Sequence, residues 1–155
     1  MTGDIDPKIF FPGLFEAAVA AADPRLAMAP HLPEPPKGRT VVIGAGKGAA
    51  HMAAAFEGLW DGPVEGVVVT RYGHTVPTRY IRVLEAAHPT PDEAGLAAGA
   101  ALLAVIEGLT EDDLVVALIC GGGSALLPAP PDGFSLAEEQ LLNRQLLASG
   151  IRLRV

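Results

Sequence analysis

From residue 38 onward the chain alternates short, wholly apolar runs with longer stretches whose apolar residues recur at helical spacing. Thr40–Ile43, Val64–Thr70 and Leu114–Ile119 are rich in β-branched and aliphatic residues on consecutive positions, the pattern of strands buried on both faces, and Ile81–Glu85 reads as a short third strand. Helices are predicted between them: an Ala-rich one running to about Trp60, and an Ala/Leu one over 91–108 closed by Gly108. A third follows Ser135-Leu136-Ala137-Glu138, a capping-box pattern, and runs to Ser149 before Gly150. Upstream, residues 13–23 place Leu14, Phe15, Ala18, Val19 and Ala22 on one helical stripe, and 24–29 form a short second helix. His31–Lys37, with Pro33, Pro35 and Pro36, reads as an extended connector. Strands joined by helical crossovers imply a doubly wound, mostly parallel, Rossmann-like α/β sheet with helices on both faces. The chain divides into N-terminal helices and a Pro-rich connector (1–37) and the α/β domain (38–155).

Composition narrows the classes. The 155 residues are 50% hydrophobic and only 5% aromatic, so a real core is built from Val, Leu, Ile and Ala. Eleven basic against 18 acidic residues give a net charge of -7. No basic face for nucleic acid is expected. Cys120 is the one cysteine, which excludes an internal disulfide and suits a reducing compartment. The N-terminus lacks an apolar signal core, and no run approaches a membrane span. A soluble, cytoplasmic protein is expected.

The chemistry gathers in two glycine-rich turns. Thr40–Ile43 runs into Gly44-Ala45-Gly46-Lys47-Gly48 and then directly into a helix. Glycines permit a tight turn and close backbone approach, and the first N–H groups of the helix favour an anion. Lys47 adds a full positive charge there. Gly44, Gly46 and Ala49 fit G-x-G-x-x-A, a dinucleotide fingerprint. No acid ends the second strand to hold a ribose; Arg71 stands there instead, which disfavours NAD and leaves NADP open. A Walker pattern is absent. The second turn, Cys120-Gly121-Gly122-Gly123-Ser124, follows the fourth strand, where bare main chain and a hydroxyl suit another anion. Ser124 does not match G-x-S-x-G, and Cys120 reads as a small hydrophobe rather than a nucleophile.

Arg71, His74 and His88 also follow strand ends, so they are expected on the same carboxyl-end rim. His51, one turn beyond Lys47, reads as an ordinary helix histidine. Thr110–Asp113 precedes a strand and is expected at the opposite end, as a solvated loop. No residue set is read as a metal site. Two anion-receiving turns on one rim suit a nucleotide polyphosphate and a small acid, hence phosphoryl transfer. Two alternatives stay open: an NADP-dependent reductase, and a non-catalytic binding module.

The segments VVIGAGKGAA, VVVTRYGH, EAAHPTPDEAG, DDLVVALICGGGSALL and LLASG resemble, in order, the N-terminal region of the glycerate 2-kinase family, over about residues 12–150. Some members of that family carry the name hydroxypyruvate reductase. The resemblance implies ATP- and Mg²⁺-dependent phosphorylation of D-glycerate to 2-phosphoglycerate. It implies a site lysine at Lys47, and a substrate- or phosphate-binding loop at Gly121, Gly122, Gly123 and Ser124. Cys120 departs from the family's serine before the glycines. Family members are more than twice as long, with the cleft between two domains. The expectation is therefore a truncated chain, inactive alone, with the missing C-terminal domain or a second copy as partner.

Overall fold

The computed structural model describes residues 6–121 and 123–150. Four strands, β1 (Thr40–Ala45), β2 (Glu65–Arg71), β3 (Ile81–Ala86) and β4 (Leu114–Ile119), form one wholly parallel sheet in the order β3-β2-β1-β4. Around it lie α1 (Pro7–Ala21), α2 (Pro24–Met28), α3 (Ala49–Leu59), α4 (Glu93–Val105) and α5 (Leu136–Ser149). The fold is the expected doubly wound α/β sheet. Short 3-10 turns occupy Ala29–His31 and Ser124–Leu126.

Side-chain alternation along the strands separates two cores. On one face Val42, Val68, Ile81 and Leu118 pack against Ala49, Ala53 and Phe56 of α3, with Met28 and Leu32 closing over them. On the other, Ala45, Val69 and Ala86 meet Ala98 of α4 and Leu126. Small alanines let both helices lie close to the sheet. Phe56 is the largest fully buried side chain, and its ring stacks on Trp60 at 5.2 Å.

Element ends moved for identifiable reasons. α1 begins at Pro7 rather than 13 because the Asp6 carboxylate accepts from Lys8 N and Pro7 suits the first turn. It runs through Pro12, where the sequence pattern stops. α4 begins at Glu93 rather than 91 because Asp92 is its cap and accepts from Gly95 N. It ends at Val105 before Gly108, its last turn tightened by Ile106 N–H to Leu103 O. The predicted capping box of α5 forms through Ser135 and Glu138, and Gly150 ends the helix at φ 65°.

Two expectations fail on packing. β4 is apolar throughout, yet it is buried on one face only: Val115 and Ile119 are 41% and 67% exposed, because β4 is the sheet edge and α4 covers β2 and β3 instead. The apolar stripe of α1 likewise buries no residue.

Candidate functional site

The strand order places a switch point between β1 and β4. From β1 the chain winds outward through α3 to β2 and β3, then α4 returns it to the far side of β1. In such sheets the crevice at the strands' carboxyl ends, between the two strands where the winding reverses, is where ligands bind. Both glycine turns open there, since β1 and β4 are in register from Thr40 opposite Leu114 to Ala45 opposite Ile119.

The two turns interlock. Cys120 N–H donates to Ala45 O at 3.0 Å, and Lys47 N–H approaches Gly121 O at 3.5 Å. Gly46 N–H donates to Val69 O at 3.1 Å, and the buried Thr70 hydroxyl donates to Lys47 O at 3.2 Å. The Gly46 and Lys47 N–H groups thus face protein carbonyls. Its glycines serve packing. A Cβ at Gly46, which sits at φ 134°, falls 2.0 Å from Cys120 O; one at Gly44 falls 2.5 Å from Leu118 O; one at Gly48 falls 2.9 Å from Cys120 Sγ. What the first turn presents outward is the exposed Lys47 side chain.

The second turn is the reverse. A Cβ at Gly121 meets nothing within 4 Å, and at Gly123 only ordinary contact with Ala45 at 3.4 Å. Neither residue has positive φ. Gly121 and Ser124 are exposed, and the Gly121 carbonyl faces the Lys47 N–H; Gly122 lies outside the described residues.

On the β2 and β3 side, Arg71 pairs in register with Ala86, and Tyr72 N–H donates to Ala86 O at 3.3 Å. His88 follows two residues on. Burial and then the positive charges of Lys47 and Arg71 hold the His88 pKa below its usual value, so these three groups share one neighbourhood. Among the described residues neither Lys47 nor Arg71 forms a salt bridge, and Arg71 Nε is buried without a hydrogen-bond partner. The nearby acids are engaged elsewhere. Glu85 accepts from Gly73 N at 2.7 Å; Asp92 accepts from Tyr72 OH at 2.7 Å and from Ala87 N and Gly95 N. Burial would raise the Asp92 pKa, but these donors hold it below the usual value.

His74 N–H closes a turn on Arg71 O, with Gly73 at φ 76°. His51 lines a separate cleft of about 290 Å³ with Asp23, Pro24 and Arg25. Thr110–Asp113 lies at the amino end, as expected, but is ordered: Asp113 accepts from Arg39 N, Thr110 N and Thr110 Oγ1. Thr70 and Asp92 were missed as organisers of the rim. Asp92 carried a signal, an acid just ahead of a helical run; Thr70, inside an apolar strand, carried none. Among the described residues no group of three or more His, Cys, Asp or Glu is placed to hold a metal ion, and no helix is long and apolar enough to cross a membrane.

Residues 11–154 match the family described as "Domain of unknown function (DUF4147)". A protein of Agrobacterium vitis named "Putative hydroxypyruvate reductase" is 50% identical over 148 residues, covering 95% of this chain and 34% of that protein. A Pyrococcus horikoshii protein named "Glycerate 2-kinase" is 41% identical over 117 residues, covering 76% of this chain and 26% of that protein. The crystal structure of a Thermotoga maritima glycerate kinase superposes with TM-score 0.76 at 36% identity, over 88% of this chain and 34% of that one. The chain thus spans about a third of the length of the relatives it matches.

Proposed function

The chain belongs to the DUF4147 family, and from that membership we propose that it forms the nucleotide- and acid-binding portion of an ATP-dependent glycerate 2-kinase. One observation carries the reading: Lys47, without an ion pair, stands beside a turn whose Gly121 is demanded neither by packing nor by backbone dihedral. Glycine there leaves the main chain open to close approach by a phosphate.

In this reading ATP supplies the phosphoryl group and the 2-hydroxyl of D-glycerate receives it. Such transfer is catalysed mainly by positioning and charge neutralisation. The Lys47 ammonium neutralises charge on the oxygens of the transferring group. The main chain of Gly121, Gly122 and Gly123 and the Ser124 hydroxyl hold the neighbouring phosphates. Thr70 fixes the Lys47 main chain, so the ammonium works from a rigid base. Among the described residues no group of three or more His, Cys, Asp or Glu stands ready to hold Mg²⁺ without the phosphates of the nucleotide.

An NADP-dependent reductase is less well supported. The second glycine of a dinucleotide fingerprint lets the backbone approach the pyrophosphate. At Gly46 that space holds the Cys120 carbonyl. Calorimetric titration with ATP tests the proposal. Binding by the wild-type chain, weakened about tenfold or more by Lys47→Ala without loss of folding, is expected for a lost charge-assisted contact. ATP affinity indifferent to Lys47→Ala, or NADPH oxidation by hydroxypyruvate in the presence of the chain, would overturn it.

A further inference from the structure

The rim carries more positive charge than one phosphate position needs. Lys47 follows β1, Arg71 ends β2 and His88 follows β3, so three adjacent strands deliver three basic groups to one side of the crevice. The Gly121–Ser124 turn follows β4, on the other side of Lys47. Among the described residues Arg71 has no ion pair, and its Nε is buried without an acceptor. A buried donor left unmade is costly, and it calls for an acceptor beyond the described residues. The acids that could have served, Glu85 and Asp92, are bound to Gly73, Tyr72, Ala87 and Gly95.

We infer that Arg71, with His88 beside it, is the seat of the carboxylate of the acid substrate, while the phosphate end of the reaction lies across Lys47 on the Gly121–Ser124 side. This rests on the kinase reading and divides its site in two. The guanidinium fork matches a planar carboxylate through two parallel N–H donors, which a lysine ammonium does not. Lys47 stands between the two anions. A substrate anchored through its carboxylate at Arg71 presents the adjacent hydroxyl toward Lys47, where the phosphoryl group is held. Arg71 is then a binding residue that orients the substrate and takes no part in the bond changes.

The experiment follows the imidazole signals of His31, His51, His74 and His88 by NMR in the 155-residue chain, titrated with D-glycerate, inorganic phosphate and ATP. Bound carboxylate offsets the Lys47 and Arg71 charges felt by His88, so D-glycerate should raise the apparent pKa of His88 saturably and leave the other three unmoved. Arg71→Gln should weaken D-glycerate binding about tenfold or more and leave ATP affinity unchanged; Arg71→Lys should recover only part. An unmoved His88 signal overturns the inference. So does inorganic phosphate moving it as readily as D-glycerate, or Arg71→Gln weakening ATP as much as D-glycerate. The wild-type titration stands even if Arg71 variants misfold. His88 responding to D-glycerate with no ATP binding sinks the kinase reading and leaves the carboxylate seat. ATP binding through Lys47 with an unresponsive His88 sinks the seat alone.

Discussion

The two ends of the sheet treat charge in opposite ways. At the amino end, the Arg39 guanidinium meets Glu65 at 2.8 Å, and Asp113 is wrapped by Arg39 N and by the N–H and hydroxyl of Thr110. Glu57 takes N–H groups of Arg79, Tyr80 and Ile81 at 2.7, 2.8 and 2.6 Å. These acids hold loops in place. At the carboxyl end the acids are likewise tied down, but Lys47 and Arg71 have no counter-ion among the described residues. Arg79 and Arg82, near the start of β3, also form no salt bridge among the described residues, so what sets the carboxyl rim apart is the buried, unpartnered Nε of Arg71 rather than the lack of an ion pair alone. Charges satisfied inside the chain build it; charges left unsatisfied are available to a ligand. Substitutions should therefore divide, with amino-end changes read in stability and carboxyl-end changes read in binding.

The largest expected effect breaks that division on purpose. Gly46 lies at the carboxyl rim, yet its role is packing, with φ 134° and the Cys120 carbonyl where a Cβ would stand. Gly46→Ala should cost about 3 kcal/mol or more, because both the dihedral and the contact oppose it. Urea unfolding followed by circular dichroism measures this; a variant as stable as wild type would show that the turns are not interlocked as described.

At the amino end, Glu57→Gln should cost about 2 kcal/mol, since three N–H donors lose a charged acceptor. The acid limb of stability gives an independent check. Burial alone would raise the Glu57 pKa, but the Arg79, Ile81 and Tyr80 N–H groups hold it below the ordinary 4.5. With the folded value depressed, its contribution is fully present above the unfolded value and is lost as pH falls through the folded one. Wild-type stability should thus decline with acidification below about pH 4.5, more steeply than that of Glu57→Gln. Parallel slopes would remove Glu57 from the account.

Much of this contrast was legible in residue order. Fully apolar runs between helical patterns fix a parallel sheet, and parallel strands send every following turn to one rim, so Lys47, Arg71, His88 and the triglycine turn fall together before any coordinates exist. Strand order was not legible. Nothing in Leu114–Ile119 says that it pairs with β1 or that its outer face lies open, because apolar runs look alike at the centre and at the edge of a sheet. Nor did spacing reveal which glycines serve the fold. Gly46 and Gly121 look alike as letters and differ only in what stands where a Cβ would be. His74 follows the same strand end as Arg71, and its N–H closes a turn on the Arg71 carbonyl.

A smaller effect is expected at Thr70. Thr70→Val keeps shape but removes the hydroxyl that donates to Lys47 O, leaving a buried carbonyl short of a donor, at a cost of about 1 kcal/mol. Because that bond steadies the Lys47 main chain, ATP affinity should fall less than in Lys47→Ala. Equal losses would mean that Thr70 reaches the ligand directly.

The smallest effect on stability sharpens the comparison most. Gly121→Ala introduces a methyl group into open space at a residue without positive φ. The fold has no reason to resist it, and loss of glycine freedom in the unfolded chain favours a change within about 1 kcal/mol of zero, on the stabilising side. A phosphate resting on that main chain meets the new methyl group, so ATP affinity should drop while the melting temperature holds or rises. That dissociation separates a turn kept bare for a ligand from one kept bare for a neighbouring strand. A Gly121→Ala chain that binds ATP as well as wild type would return the triglycine segment to a hinge, and with it remove the partner that gives Lys47 its proposed role.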